Sequence, residues 1–162
     1  MDAAPLPLQR ALVLALETGQ RQGDLLVLPW SAYDGEWIRL RQSKGGRKVA
    51  VPVTRRLRAV LENTPRVSTV ILTNGRNQPW KENSFRNAWG RARKRAGIHG
   101  LTFHDLRGTA ITRLSEADCT AQEIATITGH SLRDVAAILD RYSARINKIA
   151  SAAIAKLERG RT

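Results

Sequence analysis

The segments LTFHDLRGTA (101–110) and TGHSLRDVAAILDRYS (128–143) carry the densest polar chemistry in the chain, with helix punctuation between them. Thr102 and Asp105 have the spacing of a capping box, which predicts a helix starting near Phe103. Phe103, Leu106, Ala110 and Leu114 then recur at helical intervals as a buried stripe. His104 and Arg107 are three apart, so both side chains leave the first turn on one side. A helix N-terminus attracts anions through free N–H groups and its dipole, and an arginine fork beside an imidazole there makes a phosphate site. Thr120 and Glu123 repeat the capping spacing ahead of Ile124 and Ile127, and Gly129 ends that helix with His130 just beyond. Ser131 and Asp134 open a third helix through Val135, Ile138 and Leu139. Tyr142 is expected at the tail of that helix, on its apolar face and turned toward the protein body.

Taken together, HDLR, TGHS and the following Tyr142 resemble the second conserved box of the tyrosine recombinases, also called phage integrases. TGQRQGDLLVLPW (18–30) resembles their first box, which supplies another arginine, here Arg21. The two boxes cover nearly the whole chain, and their combination is specific where HxxR alone is not. The resemblance implies a catalytic set of Arg21, Lys44, His104, Arg107, His130 and Tyr142, with Tyr142 as nucleophile. Two departures stand out. From His130 to Tyr142 the spacing is about one helical turn longer than is commonest in the family. The chain also opens directly before the first box, so the N-terminal DNA-clamping domain of the family is expected to be absent and residues 1–162 to form a single catalytic domain.

Composition sets the outer limits. A chain of 162 residues is long enough to bury a substantial core, and 42% apolar with 25% charged residues is ordinary for a soluble domain. The excess of 27 basic over 14 acidic residues, a formal charge of +13, points to a polyanionic partner. No apolar run approaches the roughly 18 residues that span a bilayer. A single cysteine, Cys119, excludes an internal disulfide and a cysteine-rich zinc site. These features lead us to expect a soluble cytoplasmic protein, and the resemblance implies one that is bacterial or phage-encoded, nucleoid-associated when acting, with double-stranded DNA as partner.

Along the chain, Leu8, Leu12, Ala15 and Leu16 mark a first helix stopped by Gly19, and Asp24 begins a short second one closed by Pro29. Arg21 therefore sits in a junction between packed helices, where a guanidinium is held rigidly. Asp24 pairs with Arg21, orients a neighbouring catalytic group, or caps its helix; the sequence leaves these open. Segments 36–40 and 47–53 flank SKGG as a β-hairpin, and 70–72 is expected to add a third short strand. Lys44 lies at the hairpin tip, where the family carries its catalytic lysine, with Lys48 as competitor. Thr54 starts a helix through Leu57, Val60 and Leu61, and a further helix buries Phe85, Ala88, Trp89 and Ala92. Arg86, Arg91, Arg93, Lys94 and Arg95 crowd that last helix without balancing acids, which suits phosphate-backbone contact. Residues 145–159 form an amphipathic C-terminal helix with Ile146, Ile149, Ala153, Ile154 and Leu157 on one stripe. It either caps its own domain or, as the resemblance suggests, docks on a neighbouring protomer.

The expected fold is α+β: a mainly helical catalytic domain with a small three-stranded antiparallel sheet. The chemistry implied is strand cleavage by Tyr142 through a 3′-phosphotyrosine, without ATP, metal or other cofactor. The chain has no Walker loop and no acidic cluster suited to two metals. The resemblance also implies a homo-oligomer on DNA, a tetrameric synapse, from a protein that is monomeric when free. Three rivals share the charge: a helix–turn–helix-like binding module over 123–142, a type IB topoisomerase, and a ribonucleoprotein component. The first gives no reason for HDLR or Arg21, and the HDLR…TGH pattern favours a recombinase over a topoisomerase.

Overall fold

The computed structural model describes residues 4–159, with the side chains of Ile149 and Ala152 outside the described set. The first helix, α1 (Leu6–Thr18), follows Pro5 and ends on Gly19 in the left-handed conformation, whose N–H donates to the Ala15 carbonyl. Arg21 caps the five-residue α2 (Gln22–Leu26). Strands β1 (Trp37–Arg41) and β2 (Lys48–Pro52) pair antiparallel, with Ile38 opposite Val51 and Leu40 opposite Val49. Ile38, Val49 and Val51 face inward while Arg39, Arg41 and Lys48 stay exposed, the alternation a one-sided sheet requires.

The sheet has two strands rather than three. Val70 makes an isolated bridge to Pro29 instead of joining β1 or β2. Two hydrogen bonds hold that bridge, from Ile71 N–H to the Leu28 carbonyl and from Trp30 N–H to the Thr69 carbonyl. Among the described residues the pairing does not extend beyond this single bridge.

Helix α3 (Arg55–Glu62) starts where the Thr54 hydroxyl accepts from Leu57 N–H. Helix α4 (Glu82–Arg95) buries Phe85 and Ala92. Phe85 and Trp89 meet Phe103 edge-on, both at 4.9 Å between ring centroids. Such pairs add about 1 kcal/mol each to the area they bury. They fix the loop that leads into α5 (Asp105–Glu116). This helix starts two residues later than the spacing predicted, with His104 in the capping position. The Asp105 carboxylate still accepts from Thr102, through its N–H and its hydroxyl at 2.8 Å, so the pair closes the turn ahead of the helix. Helix α6 (Ala121–Thr128) has the full predicted capping box between Thr120 and Glu123 and ends on left-handed Gly129.

The last helix corrects a second expectation. α7 runs unbroken over Leu132–Arg159, so Tyr142 lies mid-helix and no separate helix begins at 145. The SARINK stretch after Tyr142 contains neither glycine nor proline, and nothing in it interrupts the backbone bonds. Beyond Tyr142 the predicted stripe is unpartnered: Ile146, Ile154 and Leu157 are about half exposed, and Ile149 falls outside the described side chains.

Two cores result. The larger joins α1, α2, the hairpin, α3 and the aromatic group around Phe85. The smaller is Ile111, Ile124, Ala125 and Val135, between α5, α6 and α7. Among the described residues no helix is long and apolar enough to cross a membrane.

Candidate active site

The polar centre lies where these two cores meet. Arg107, on the first turns of α5, is only 3% exposed. One guanidinium nitrogen, Nη1, donates to the Gly19 carbonyl at 2.6 Å and the Thr128 carbonyl at 3.2 Å. The other, Nη2, lies 3.2 Å from His130 Nδ1. Both carbonyls belong to the last turns of helices, where C=O groups lack intrahelical partners. Burial, and then the nearby charge of Arg21, lower the Arg107 guanidinium to about 10.

Arg21 stands at the α1–α2 junction, half-buried, with its Nη1 buried and without a protein partner. Two guanidinium groups close enough to repel, one with an orphaned donor, constitute a site for an oxyanion. His130 follows Gly129 and is lowered to about 4, by burial first and then by Arg107 and Arg21. Nδ1 also stands 2.9 Å from the Thr128 hydroxyl, whose own proton goes to the Ile124 carbonyl at 2.7 Å, so Arg107 asks Nδ1 for a lone pair while Thr128 asks it for a proton. At neutral pH the His130 imidazole is therefore uncharged.

Asp24 lies in the first turn of α2. It is buried, and its Oδ1 accepts from Ser43 N–H at 2.8 Å, which ties the hairpin turn to α2 one residue before Lys44. Lys44 itself is exposed on that turn, whereas Lys48 lies within β2. Arg47 adds a second tether, donating to the His130 carbonyl at 2.8 Å. His104 is exposed and shares with Arg21, Arg86, Trp89 and Arg93 the wall of a cleft of about 460 Å³. Of the predicted basic cluster, Arg86 pairs with Glu82 and Arg93 donates to the Leu101 carbonyl, while Arg91, Lys94 and Arg95 are exposed.

Tyr142 is not with the others. It is half-buried, and its hydroxyl donates to the Glu116 carboxylate at the far end of α5. Glu116 follows Arg107 by nine residues, about 13 Å along the helix. The Glu116 hydrogen bond holds the phenol above its ordinary value.

Sequence reading overlooked three buried polar residues beneath the site: Gln20, Gln42 and Thr128. Gln42 carried a usable signal, since it continues the inward face of Ile38 and Leu40 as a polar residue. For Gln20 the sequence shows none.

Known proteins share this architecture. Residues 1–145 match the model of the phage integrase family. The shufflon-specific DNA recombinase of Escherichia coli is 38% identical over 133 residues, 80% of this chain but 33% of that protein. A lambda integrase dimer bound to a COC′ core site superposes with a TM-score of 0.73 at 28% identity, covering 83% of this chain and 52% of that one. The lambda integrase catalytic core alone gives 0.69 at 29% identity, covering 80% and 82%. The chain thus spans only a third to two-fifths of curated relatives such as the shufflon recombinase and the phage 434 integrase.

Proposed function

Because the chain belongs to the phage integrase family, we propose that it is the catalytic domain of a site-specific DNA recombinase that cuts and rejoins strands through a tyrosine. The observation that carries this reading is the orphaned, buried Nη1 of Arg21 beside the Arg107–His130 pair. A scissile phosphodiester is the anion we assign to it.

Arg21 and Arg107 hold the non-bridging oxygens, and their bonds strengthen as charge grows in the pentavalent transition state. His130 donates its Nε2 proton in a hydrogen bond to the same phosphate. Tyr142 attacks phosphorus; its proton leaves toward His104, the P–O5′ bond breaks, and Lys44 protonates the departing oxygen. The products are a 3′-phosphotyrosine and a free 5′-hydroxyl, with bond energy retained for the reverse step on another strand. No nucleotide or metal enters the balance. Asp24 orients the Lys44 turn.

Tyr142 must first leave Glu116 and reach the phosphate, through a shift of α7 or by serving a neighbouring copy. The apolar stripe of α7 beyond residue 145 is the segment we assign to docking on that neighbour within a homo-oligomer on DNA, cytoplasmic and nucleoid-bound. Arg86, Arg91, Arg93, Lys94 and Arg95 are assigned to the DNA backbone.

The test is covalent trapping. Nicked duplexes from sequence flanking the gene are incubated in chelator with wild type and Tyr142→Phe, then resolved on a denaturing gel. The expected result is a DNA-linked band from wild type alone, mapping to a 3′-phosphotyrosine. A band that survives in Tyr142→Phe removes Tyr142 as nucleophile. Salt-sensitive DNA binding without any band, while a full-length relative cuts the same substrate, leaves a helix–turn–helix-like binding module.

A further inference from the structure

The loops that carry Arg21, Lys44 and His130 are joined from below by two buried side-chain amides. Gln20 precedes Arg21, Gln42 stands two residues before Lys44, and Thr128 stands two before His130. Gln42 Nε2 donates to Gln20 Oε1 at 2.7 Å and to the Thr128 carbonyl at 3.0 Å. Gln20 Nε2 donates to the Thr18 carbonyl at 2.9 Å and the Ile127 carbonyl at 3.1 Å. An amide has two N–H donors, so all four donors of the pair are committed. Three of these bonds terminate on carbonyls at the ends of α1 and α6, which would otherwise need water or a cap.

The backbone is shaped around the pair. A Cβ on Gly129 would lie 2.3 Å from Gln42 Nε2, and one on Gly19 would lie 2.8 Å from Thr128 Cγ2. Both glycines are left-handed helix ends, yet each also admits a close approach that no other residue allows. Arg107 donates to the same Thr128 carbonyl that Gln42 uses, so the guanidinium and the amide share one anchor. Thr128 Oγ1, 2.9 Å from His130 Nδ1, carries that anchor to the imidazole.

We propose that the Gln20–Gln42 pair is a positioning clamp that sets Arg21, Lys44 and His130 relative to Arg107. The clamp rests on the reading of these four as the phosphate-cleaving set. Neither glutamine touches the phosphate; both act through the loops they join.

The decisive variant is the double substitution Gln20→Met with Gln42→Met, which keeps the volume and leaves no unpaired amide on either partner. It is compared with wild type well below its melting temperature, once circular dichroism shows it folded. Three quantities are read: the Kd for the nicked duplex, the single-turnover rate of adduct formation at saturating DNA, and the titration of His130 by nitrogen NMR. The clamp predicts a Kd within about twofold of wild type, a rate at least about tenfold lower, and His130 titrating closer to an ordinary histidine. A role in folding alone lowers only the melting temperature; an unchanged rate and an unchanged His130 titration in the folded variant overturn the clamp. Should the double variant not fold, Gln42→Met alone is read the same way. If wild type forms no Tyr142-dependent adduct, the recombinase reading fails by itself, and the His130 titration then decides the clamp.

Discussion

At His130 and Tyr142 the surroundings shift two different titrating groups in opposite directions. His130 is pushed to about 4 in the folded chain against 6.5 for a free imidazole. Between those values the unfolded chain binds a proton that the folded chain refuses, so stability is complete above about pH 6.5 and falls as pH falls toward 4. The full shift would correspond to about 3 kcal/mol, which half-burial reduces to about 1–2 kcal/mol. Urea melts at about pH 7 and about pH 5 span a little over half of that range and should differ by about 1 kcal/mol, and His130→Asn should abolish most of the difference. The lowered carboxylates of Asp34, Asp105 and Glu123 lose their contribution as pH falls below the ordinary carboxylate range, mainly under the pH 5 to 7 interval of these melts. Tyr142 moves the other way, held above its free value by Glu116. Glu116→Gln should bring its titration down, visible by ultraviolet absorbance after subtracting the Tyr142→Phe spectrum. A phenol that titrates unchanged in Glu116→Gln would show that the carboxylate has no hold on it.

Among the elements, α6 is the one whose two ends do different work. Its N-terminus is a complete capping box, and Thr120→Ala should cost about 1 kcal/mol without disturbing the site. Its C-terminus is Gly129, with a φ of 71° and the Gln42 amide against the position of a Cβ. Gly129→Ala should cost about 2–3 kcal/mol, from left-handed strain together with overpacking. The pair of variants separates helix stability from site geometry. Both should melt earlier, but only Gly129→Ala should shift the NMR signals of Arg107 and His130. Equal perturbation of the site by Thr120→Ala would mean that α6 moves as one rigid unit. The unbroken α7 carries the other consequence for the site. One helix links the 131 turn to Tyr142 and to the exposed stripe beyond, so under the proposed function a shift of the tyrosine on α7 would carry that stripe with it.

The whole molecule carries a formal charge of +13, and Arg86 and Arg93 of its basic helix line the cleft that holds Arg21 and His104. Neutralising DNA phosphates releases condensed counterions, so affinity should fall steeply and linearly with the logarithm of salt concentration. Replacing Arg91, Lys94 and Arg95 one at a time by alanine should each reduce that slope by about 1 and weaken binding to all sequences alike. Fluorescence anisotropy across a salt series checks this. Slopes that match wild type in all three variants would place the DNA on another face.

Much of this protein is legible in its sequence, for physical reasons that act over short stretches of chain. Capping at Thr54, Thr120 and Ser131 and the glycine stops at Gly19 and Gly129 are written in neighbouring residues, and so is the alternation of the hairpin. The position of Arg21 at a helix junction follows from the same signals. Long-range choices are not legible. Val70 bridges Pro29 from far along the chain, and no local pattern encodes that pairing. Residues 143–148 could end a helix or continue one, and only propagation from the packed first turns of α7 decided. The burial of Arg107, the Gln20–Gln42 pair and the distance of Tyr142 from the guanidinium groups were likewise tertiary. The sequence by itself determined which charged and polar residues are on offer to a site, through charge, spacing and helix ends. Only the tertiary structure decided which of them meet, because each meeting depends on contacts between residues far apart in the chain, such as Gln20 with Gln42 and Arg107 with Gly19.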